Sequence, residues 1–303
     1  MIGSTSQPKK QISERSFIFF LMAPTMIVLL GITVYPLLYN LYLAFHSVFL
    51  SDPNAPRTFI WFENFVSIFT NEMVLISLWK SFLYTAIVVS VEFFLALAVA
   101  VFLNRDFVGK RVLLPFLILP LMITPVVSGL IWKYMFNGEF GVIGWILMSI
   151  GVETYSVLSD PFWAFVGVII QDIWHWTPFL MLLFYTGLIS LPRDPFEAAA
   201  IDGASSWQIF KDLTVPMLRR IFLIGILLRT MDAFKIFDEI YMMTQGGPGN
   251  ATETVNYYVY RNTFRYFNMG EGAALALVVL IIIIIISNIF IKVMKGREVQ
   301  EAA

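Results

Sequence analysis

The stretch "DPFEAAAIDGASSWQIFKDLTVP", residues 194–216, lies between two long apolar segments and is itself polar and rich in alanine. Asp194, Pro195 and Glu197 stand in the order expected at a helix N-terminus, with Asp194 as the capping residue. Gly203 is placed to end this helix, because glycine readily adopts the left-handed conformation that is common at helix C-termini. The stretch therefore begins with a short helix, although its neighbours have the composition of membrane-spanning segments.

The sequence predicts a second short helix directly after this glycine. Ser205 and Gln208 have the spacing of a capping box, and Trp207, Phe210 and Leu213 fall on one face of the helix that follows. Isolated helices shorter than about 12 residues are marginal in water, so both helices need a packing partner. That partner is either the lipid headgroups or another protein. A headgroup-bound helix is usually rich in lysine, and the first helix has none, which favours docking onto a protein.

The composition indicates an integral membrane protein. Of the 303 residues, 58% are hydrophobic and 14% are charged, whereas about a quarter of the residues of a soluble domain are charged. The net charge of −1 gives no reason to expect a nucleic-acid partner. With no cysteine and two histidines, the chain has little material for a metal site, and none is expected.

Charged residues delimit six apolar segments, each long enough to cross a bilayer that requires about 20 residues. The sequence therefore predicts an all-α integral membrane fold with six transmembrane helices, at residues 17–45, 81–103, 111–133, 161–191, 221–243 and 272–292.

The distribution of lysine and arginine predicts the orientation, since these residues are enriched in cytoplasmic loops. With the N-terminus inside, thirteen of them are cytoplasmic and five lie in outer loops or at outer span edges. Both termini and residues 192–216, here called the elbow, are therefore expected in the cytoplasm. The chain divides into a cytoplasmic tail at 1–16, a six-span domain at 17–295 that contains the elbow, and a second cytoplasmic tail at 296–303.

The elbow resembles the cytoplasmic EAA loop of permeases from ATP-binding cassette (ABC) importers. The resemblance rests on residues at one fixed spacing: Glu197, Ala198, Ala199, Gly203, Leu213, Val215 and Pro216. In that family the loop is a coupling helix that fits a cleft on the ATP-hydrolysing subunit. The resemblance implies that six residues here form the coupling contact: Phe196, Glu197, Ala198, Ala199, Asp202 and Gly203.

The fifth predicted span continues as "RTMDAFKIFDEIYMMTQGGPGNATET", residues 229–254, and contains charges. Arg229, Asp232, Lys235 and Asp238 follow one another at intervals of three with alternating sign. A charge within a membrane helix costs about 2.5–3.5 kcal/mol and usually faces a bundle interior or a cavity. Neighbours at i,i+3 could also neutralise one another along the helix. The pattern alone leaves both interpretations open.

This stretch resembles the maltose-type branch of sugar permeases, in which a segment Arg-Thr-x-Asp-x-Phe-x-x-Phe-Asp leads into Gly-Gly-Pro. The resemblance implies that the helix lines a sugar pathway and that the outer loop receives a solute-binding protein. The implied pathway residues are Asp232, Phe234, Lys235 and Asp238, and the implied contacts of the binding protein are Gly246, Gly247 and Pro248.

The fourth predicted span contains a dense polar and aromatic segment, "QDIWHWTPF", residues 171–179. Aromatic faces stack on sugar rings and planar polar groups take up hydroxyls, so Gln171, Trp174, His175 and Trp176 are further pathway candidates. The alternative is an aromatic belt at the membrane interface. Glu92, in the middle of the second span, is expected to contact either a partner helix or a ligand.

These resemblances imply a permease of the type I ABC importer fold, in a bacterial or archaeal-type inner membrane, that imports a sugar, oligosaccharide or related polyol. ATP and Mg²⁺ would bind to two partner ATPase subunits, because this chain has no Walker motif and is not itself an enzyme. A second, homologous permease and an extracytoplasmic sugar-binding protein would complete the complex. Alternatives are an ion-coupled secondary transporter that uses the charged fifth helix, an intramembrane enzyme built on Glu92, Asp172 and His175, and a scaffold.

Overall fold

The computed structural model of the protein describes residues 14–52, 54, 56–149 and 157–301. Within these residues the regular secondary structure is helical, apart from a two-stranded ribbon. The five longest helices are α1 (Glu14–Ala44), α3 (Glu72–Leu103), α7 (Pro161–Ile189), α10 (Val215–Ala233) and α13 (Met269–Glu301). The shorter helices are α2 (Glu63–Thr70), α4 (Lys110–Ile118), α5 (Pro125–Met135), α6 (Val142–Ser149), α8 (Asp194–Ile201), α9 (Ser206–Ile209), α11 (Asp238–Met243) and α12 (Val255–Tyr260).

The ribbon pairs β1 (His46–Ser47) with β2 (Thr58–Phe59) in antiparallel register, with His46 opposite Phe59. It follows the end of α1. Most of the predicted tail at 1–16 lies outside the described residues, and the predicted tail at 296–303 is a continuation of α13 as far as Glu301.

The predicted all-α membrane fold is confirmed, but two of the six apolar segments are broken helices. Four helices are long and apolar enough to cross a membrane: Ile18–Ala44, Glu72–Leu103, Pro161–Ile189 and Met269–Met294. The third predicted span consists of Lys110–Met122 and Pro125–Met135, which meet at an angle of 99° and together could count as a fifth span. Proline at the first turn of α5 and within the preceding 3₁₀ turn, Leu119–Met122, accounts for this break.

The fifth predicted span, 221–243, is divided between α10 and α11 at residues 234–237. At this point the backbone changes to tighter i→i+3 hydrogen bonds, from the Lys235 amide to the Asp232 carbonyl (2.9 Å) and from the Ile236 amide to the Ala233 carbonyl (3.2 Å). Such bonds are typical of a helix end. The break prevents the charged residues of this span from forming one continuous ladder.

The elbow contains both predicted helices, α8 and α9, with two differences at its ends. Helix α8 begins one residue earlier than expected, because Arg193 occupies the N-cap position and Asp194 lies in the first turn without a capping bond. The capping box of Ser205 and Gln208 is present at α9. Helix α9 then continues through a π-helical turn, Phe210–Thr214, directly into α10. The elbow is therefore joined to the long helix rather than separated from it.

Helices α3, α7 and α10 pack against one another and form the centre of the molecule. Small residues allow this close approach, as is common between helices in membranes. A Cβ atom built on Gly225 of α10 would lie 2.9 Å from Leu183 Cδ2 and 3.0 Å from Leu180 Cδ2 of α7. Helix α1 packs against α13, and α5 packs against α11.

We expect Gly225→Val to destabilise the helical core, because the added side chain would force α10 away from α7. Overpacking of this kind costs about 1–3 kcal/mol, and the midpoint of thermal unfolding in detergent should fall by several degrees. Gly31→Val is the matched control, since a Cβ atom at Gly31 of α1 would meet no described heavy atom within 4 Å. Equal midpoints for the two variants would contradict the close packing at Gly225.

Candidate functional site

A buried arginine of α10 joins three helices. The side chain of Arg229 is 1% exposed. Its Nε lies 2.7 Å from Glu92 Oε2 of α3, its Nη2 lies 3.0 Å from Glu92 Oε1, and its Nη1 lies 3.0 Å from Asp232 Oδ2. Its Nη2 also contacts Asp172 Oδ2 of α7. These four residues are called the Arg229 cluster below.

The cluster is stable only as a complete set. Moving a charge out of water is costly, and the cost is recovered only when the partner charges and hydrogen bonds are well placed. The guanidinium has five N–H donors in a rigid plane. It donates four hydrogen bonds to the carboxylates of the cluster. The guanidinium also lies over the ring of Trp176, 5.2 Å from the centroid, a cation–π arrangement that adds to the stabilisation.

A cavity of about 110 Å³ adjoins the cluster. The side chain of Asp232 is 47% exposed and faces this space, whereas Glu92 lies behind the wall. The break between α10 and α11 brings residues 235–239 to the same cavity. The wall is formed by Pro125, Asp172, Trp176, Arg229, Asp232, Ala233, Lys235, Ile236, Phe237, Asp238 and Glu239.

Four of the eight predicted pathway residues line this cavity: Trp176, Asp232, Lys235 and Asp238. The fourth predicted span supplies Trp176 and the fifth supplies the other three. The structure thus brings together candidates from two segments that are more than fifty residues apart in the sequence.

The other four predicted pathway residues lie away from the cavity wall. The ring of Phe234 is buried against Phe82, with centroids 4.9 Å apart. The amide of Gln171 donates to Ser128 Oγ at 2.8 Å. The ring of Trp174 packs edge-on against another tryptophan.

The fourth of these residues, His175, is buried and connects neighbouring helical segments. Its Nε2 lies 2.9 Å from the carbonyl oxygen of Ile123, in the bend of the third predicted span. Its Nδ1 lies 3.7 Å from Glu239 Oε1. His175 therefore links α7 to both broken segments, and it contacts the cavity through Glu239.

The sequence interpretation missed several residues of the site. Phe237, Glu239 and Pro125 line the cavity but were not among the candidates. Glu92 contacts a partner helix, which was one of its two open interpretations. The i,i+3 pair of Arg229 and Asp232 was foreseeable from spacing, but the contacts of Arg229 to α3 and α7 depend on tertiary packing and leave no local signal.

The elbow projects from the helical body. No residue of α8, all of which the structure describes, is buried. The side chain of Ile201 is 86% exposed and that of Trp207 is 68% exposed. Such large apolar side chains at the end of a short helix indicate a surface that is covered by a partner. Gly203 has a φ of +79°, as predicted for a helix end, and a Cβ atom there would meet no described heavy atom within 4 Å.

The six predicted coupling residues all lie on this projection. Glu197, Ala198, Asp202 and Gly203 are exposed, and Phe196 and Ala199 are half-buried. Phe196 and Glu197 also line a cleft of about 550 Å³ between α8 and the connection from α3 to α4.

The loop that follows α11 is tightly held. Thr252 Oγ1 lies 2.6 Å from Thr244 Oγ1 and donates to the Gly247 carbonyl at 3.0 Å. Gly246 is buried, and a Cβ atom there would lie 2.6 Å from the ring of Tyr257. Gly247 and Pro248 are half-buried. The loop is thus a fixed surface feature, and its contact with a binding protein stays a prediction.

Charged residues anchor the far end of this loop. Arg261 Nη1 donates to Asn250 Oδ1 at 2.8 Å, its Nη2 lies 2.8 Å from Glu253 Oε1, and Lys80 Nζ contacts the Asn250 carbonyl. Burial raises the pKa of Glu253, and the positive charges of Arg261 and Lys80 oppose this rise.

Residues 92–298 match the family model described as the binding-protein-dependent transport system inner membrane component. The chain belongs to this family. The permease is 30% identical over 292 residues to the trehalose/maltose transport system permease protein MalF of Thermococcus litoralis, covering 95% of this chain and 97% of that protein. It is 31% identical to the sulfoquinovosyl glycerol transport system permease protein SmoG of Agrobacterium fabrum, covering 95% and 93%.

The fold of the permease also matches a solved structure. A chain of a bacterial ABC transporter involved in the import of the acidic polysaccharide alginate superposes with a TM-score of 0.79 at 20% identity, covering 93% of this chain and 98% of that one. The predicted family and the predicted importer-permease fold are therefore confirmed. The comparisons do not bear on individual site residues, whose roles stay predictions.

We expect Arg229→Met to destabilise the permease strongly, because Glu92 and Asp172 would face each other without their counter-charge. Breaking one side of a buried ion pair costs about 3–5 kcal/mol, which should appear as a large drop in the thermal midpoint and in the yield of monodisperse protein.

The double variant Glu92→Gln/Arg229→Met should recover part of that loss. Lys235→Met is the control, since Lys235 is exposed and forms no ion pair with any described residue. If Arg229→Met were as stable as the Lys235 variant, the cluster would not hold the three helices together.

Proposed function

We propose that the permease imports a sugar, oligosaccharide or related polyol as the membrane subunit of an ATP-driven, binding-protein-dependent importer. Support comes from relatives of about 30% identity that are named for trehalose, maltose and sulfoquinovosyl glycerol transport. The cavity has chemistry suited to such ligands. Trp176 offers an aromatic side chain, and the carboxylates of Asp232 and Asp238 can accept hydrogen bonds from hydroxyls.

The proposed complex contains four further chains. Two ATP-hydrolysing subunits hold ATP and Mg²⁺, a second homologous permease supplies the other half of the pathway, and an extracytoplasmic binding protein delivers the sugar. A solved relative of the same fold was captured with an alginate pentasaccharide-bound periplasmic protein, which supports such an arrangement. In this proposal both termini and the elbow are cytoplasmic, and the loop at 244–254 faces the binding protein.

The observation that carries the coupling proposal is the exposed apolar end of the elbow. Helix α8 is too short to be stable without a partner, and Ile201 and Trp207 are 86% and 68% exposed in the described part of the chain. We infer that α8 docks on the ATPase through Phe196–Gly203. Helix α9 is continuous with α10 through the π-helical turn. A displacement of the elbow is therefore transmitted along α10 towards Arg229. Closure of the ATPase pair would then switch the spans between inward- and outward-facing arrangements.

Ion-coupled secondary transport is the second candidate, and the charges of the fifth predicted span favour it. In the structure, however, Arg229 binds the carboxylates of Glu92 and Asp172, which suits a structural cluster better than a proton relay.

The two candidates differ in their energy source. Uptake into liposomes that contain the complete complex should stop when ATP is depleted, even while an ion gradient is maintained. Uptake that continues on the gradient alone would establish the second candidate.

We expect Ile201→Glu to abolish co-purification of the ATPase subunits without unfolding the permease. The side chain makes little contact with the described residues, so its replacement should leave the free energy of unfolding within about 0.5 kcal/mol of the parent value. Val108→Glu is the matched control, because Val108 is a fully exposed apolar residue on the connection between α3 and α4. Equal retention of the ATPase by both variants would refute docking at the end of α8.

We expect Gly203→Val to uncouple ATP hydrolysis from uptake while the protein still inserts into the membrane. Its φ of +79° is unfavourable for any residue with a side chain, so the variant should distort the end of α8 without a steric clash. Gly109→Val carries the same type of backbone strain at φ +95°, also in open space, and serves as the control. Measured ATPase activity and sugar uptake that remain coupled in the Gly203 variant would contradict the prediction.

A further inference from the structure

The wall of the cavity is more negative than positive. It contains four carboxylates, those of Asp172, Asp232, Asp238 and Glu239, and two cationic side chains, Arg229 and Lys235. The nearby carboxylate of Glu92 adds further negative charge behind Arg229. The cavity is also lined by apolar groups, which screen charges less well than water does.

Arg229 has little capacity left for a ligand. Its hydrogen bonds to Glu92, Asp172 and Asp232 occupy most of its donors, and its face lies over Trp176. An anionic ligand near this guanidinium would also approach the three carboxylates that surround it. Arg229 therefore stabilises the wall, and it does not act as an anion receptor.

Lys235 is the cationic wall residue that forms no ion pair within the described part of the chain. It lies on the break between α10 and α11, in the same segment as Asp238 and Glu239. One exposed ammonium group among these carboxylates does not reverse the sign of the local field. Asp238 is half-buried, and no cationic group of the described residues lies within ion-pairing distance of it.

We infer that this cavity selects uncharged, hydroxyl-rich sugars and rejects sugars that carry a carboxylate or sulfonate, with Asp238 as the residue that contributes most to the selection. The inference rests on the proposed sugar import and specifies its substrate class. Hydroxyl groups donate favourably to unpaired carboxylate oxygens, and the ring of Trp176, which lines the cavity, can stack on an uncharged pyranose. An anionic sugar would meet like charge on several sides.

The sign of the field can be measured with Trp176 as the reporter. Fluorescence quenching by caesium and iodide is recorded for the complete importer in detergent, at constant ionic strength, and the signal of Trp176→Phe is subtracted. The quenching constant of each ion is divided by the constant that the same ion gives with a free tryptophan derivative. Caesium should quench Trp176 at least about threefold more effectively than iodide. Asp238→Lys should bring the two constants close together, whereas Glu72→Gln, at an exposed acid at the start of α3, should leave their ratio unchanged.

The selection itself is tested with three sugars that share one ring: methyl glucoside, glucuronate and glucosamine. Their binding is followed by the fluorescence change that depends on Trp176. Glucuronate should bind at least about tenfold more weakly than methyl glucoside. Asp238→Asn should reduce this difference in affinity, whereas Glu72→Gln should leave it unchanged.

Each contrary result identifies what fails. Glucuronate binding as tightly as methyl glucoside, or equal quenching by caesium and iodide, overturns the charge selection while sugar import still stands. Glucosamine binding about tenfold more tightly than methyl glucoside also overturns it, since the ligand would then be an amino sugar. If none of the three sugars binds while caesium still quenches Trp176 more effectively than iodide, the cavity does not bind sugar. That result overturns this part of the proposed function.

Discussion

The bonding of one buried guanidinium to three carboxylates determines how the centre of this permease is arranged. Apolar helices in lipid gain little from one contact over another, because the surrounding lipid chains are as apolar as their neighbours. A buried charge is different, since it is tolerated only when its partners are in place. Arg229 therefore sets the depth at which α10 meets Glu92 of α3 and Asp172 of α7. Glycines such as Gly225 then allow the backbones to close around that contact.

The cavity follows from the same arrangement. Asp232 completes the cluster from within α10 and leaves nearly half of its side chain exposed. The helix ends directly after it, and the backbone turns so that Lys235, Phe237 and Asp238 reach the same space. A continuous helix would have placed Phe237 on the face opposite Lys235. The break thus converts a row of costly membrane charges into the wall of a polar cavity.

The sequence was informative wherever the signal is local and incomplete wherever it depends on packing. Capping residues and a glycine predicted both helices of the elbow, and composition predicted the membrane segments. Spacing could not reveal that α10 stops after residue 233, and the pathway residue implied by the family resemblance was Phe234, not Phe237. Phe234 is instead buried against Phe82. Two of the three carboxylate partners of Arg229, Glu92 and Asp172, lie 137 and 57 residues away, and no periodicity encodes such contacts.

The elbow and the cavity belong to one mechanical unit. From Val215 to Arg229 the uninterrupted helix spans roughly 20 Å at its rise of about 1.5 Å per residue. Helix α9 continues directly into it through the π-helical turn. Separating α10 from α3 or α7 would expose an unpaired buried charge, which is far costlier than moving the three helices together. Under the proposed function, a displacement of α8 therefore moves the α3–α7–α10 unit as a body. The change in access must then arise where this unit meets the rest of the complex, because the cluster keeps the cavity wall itself intact.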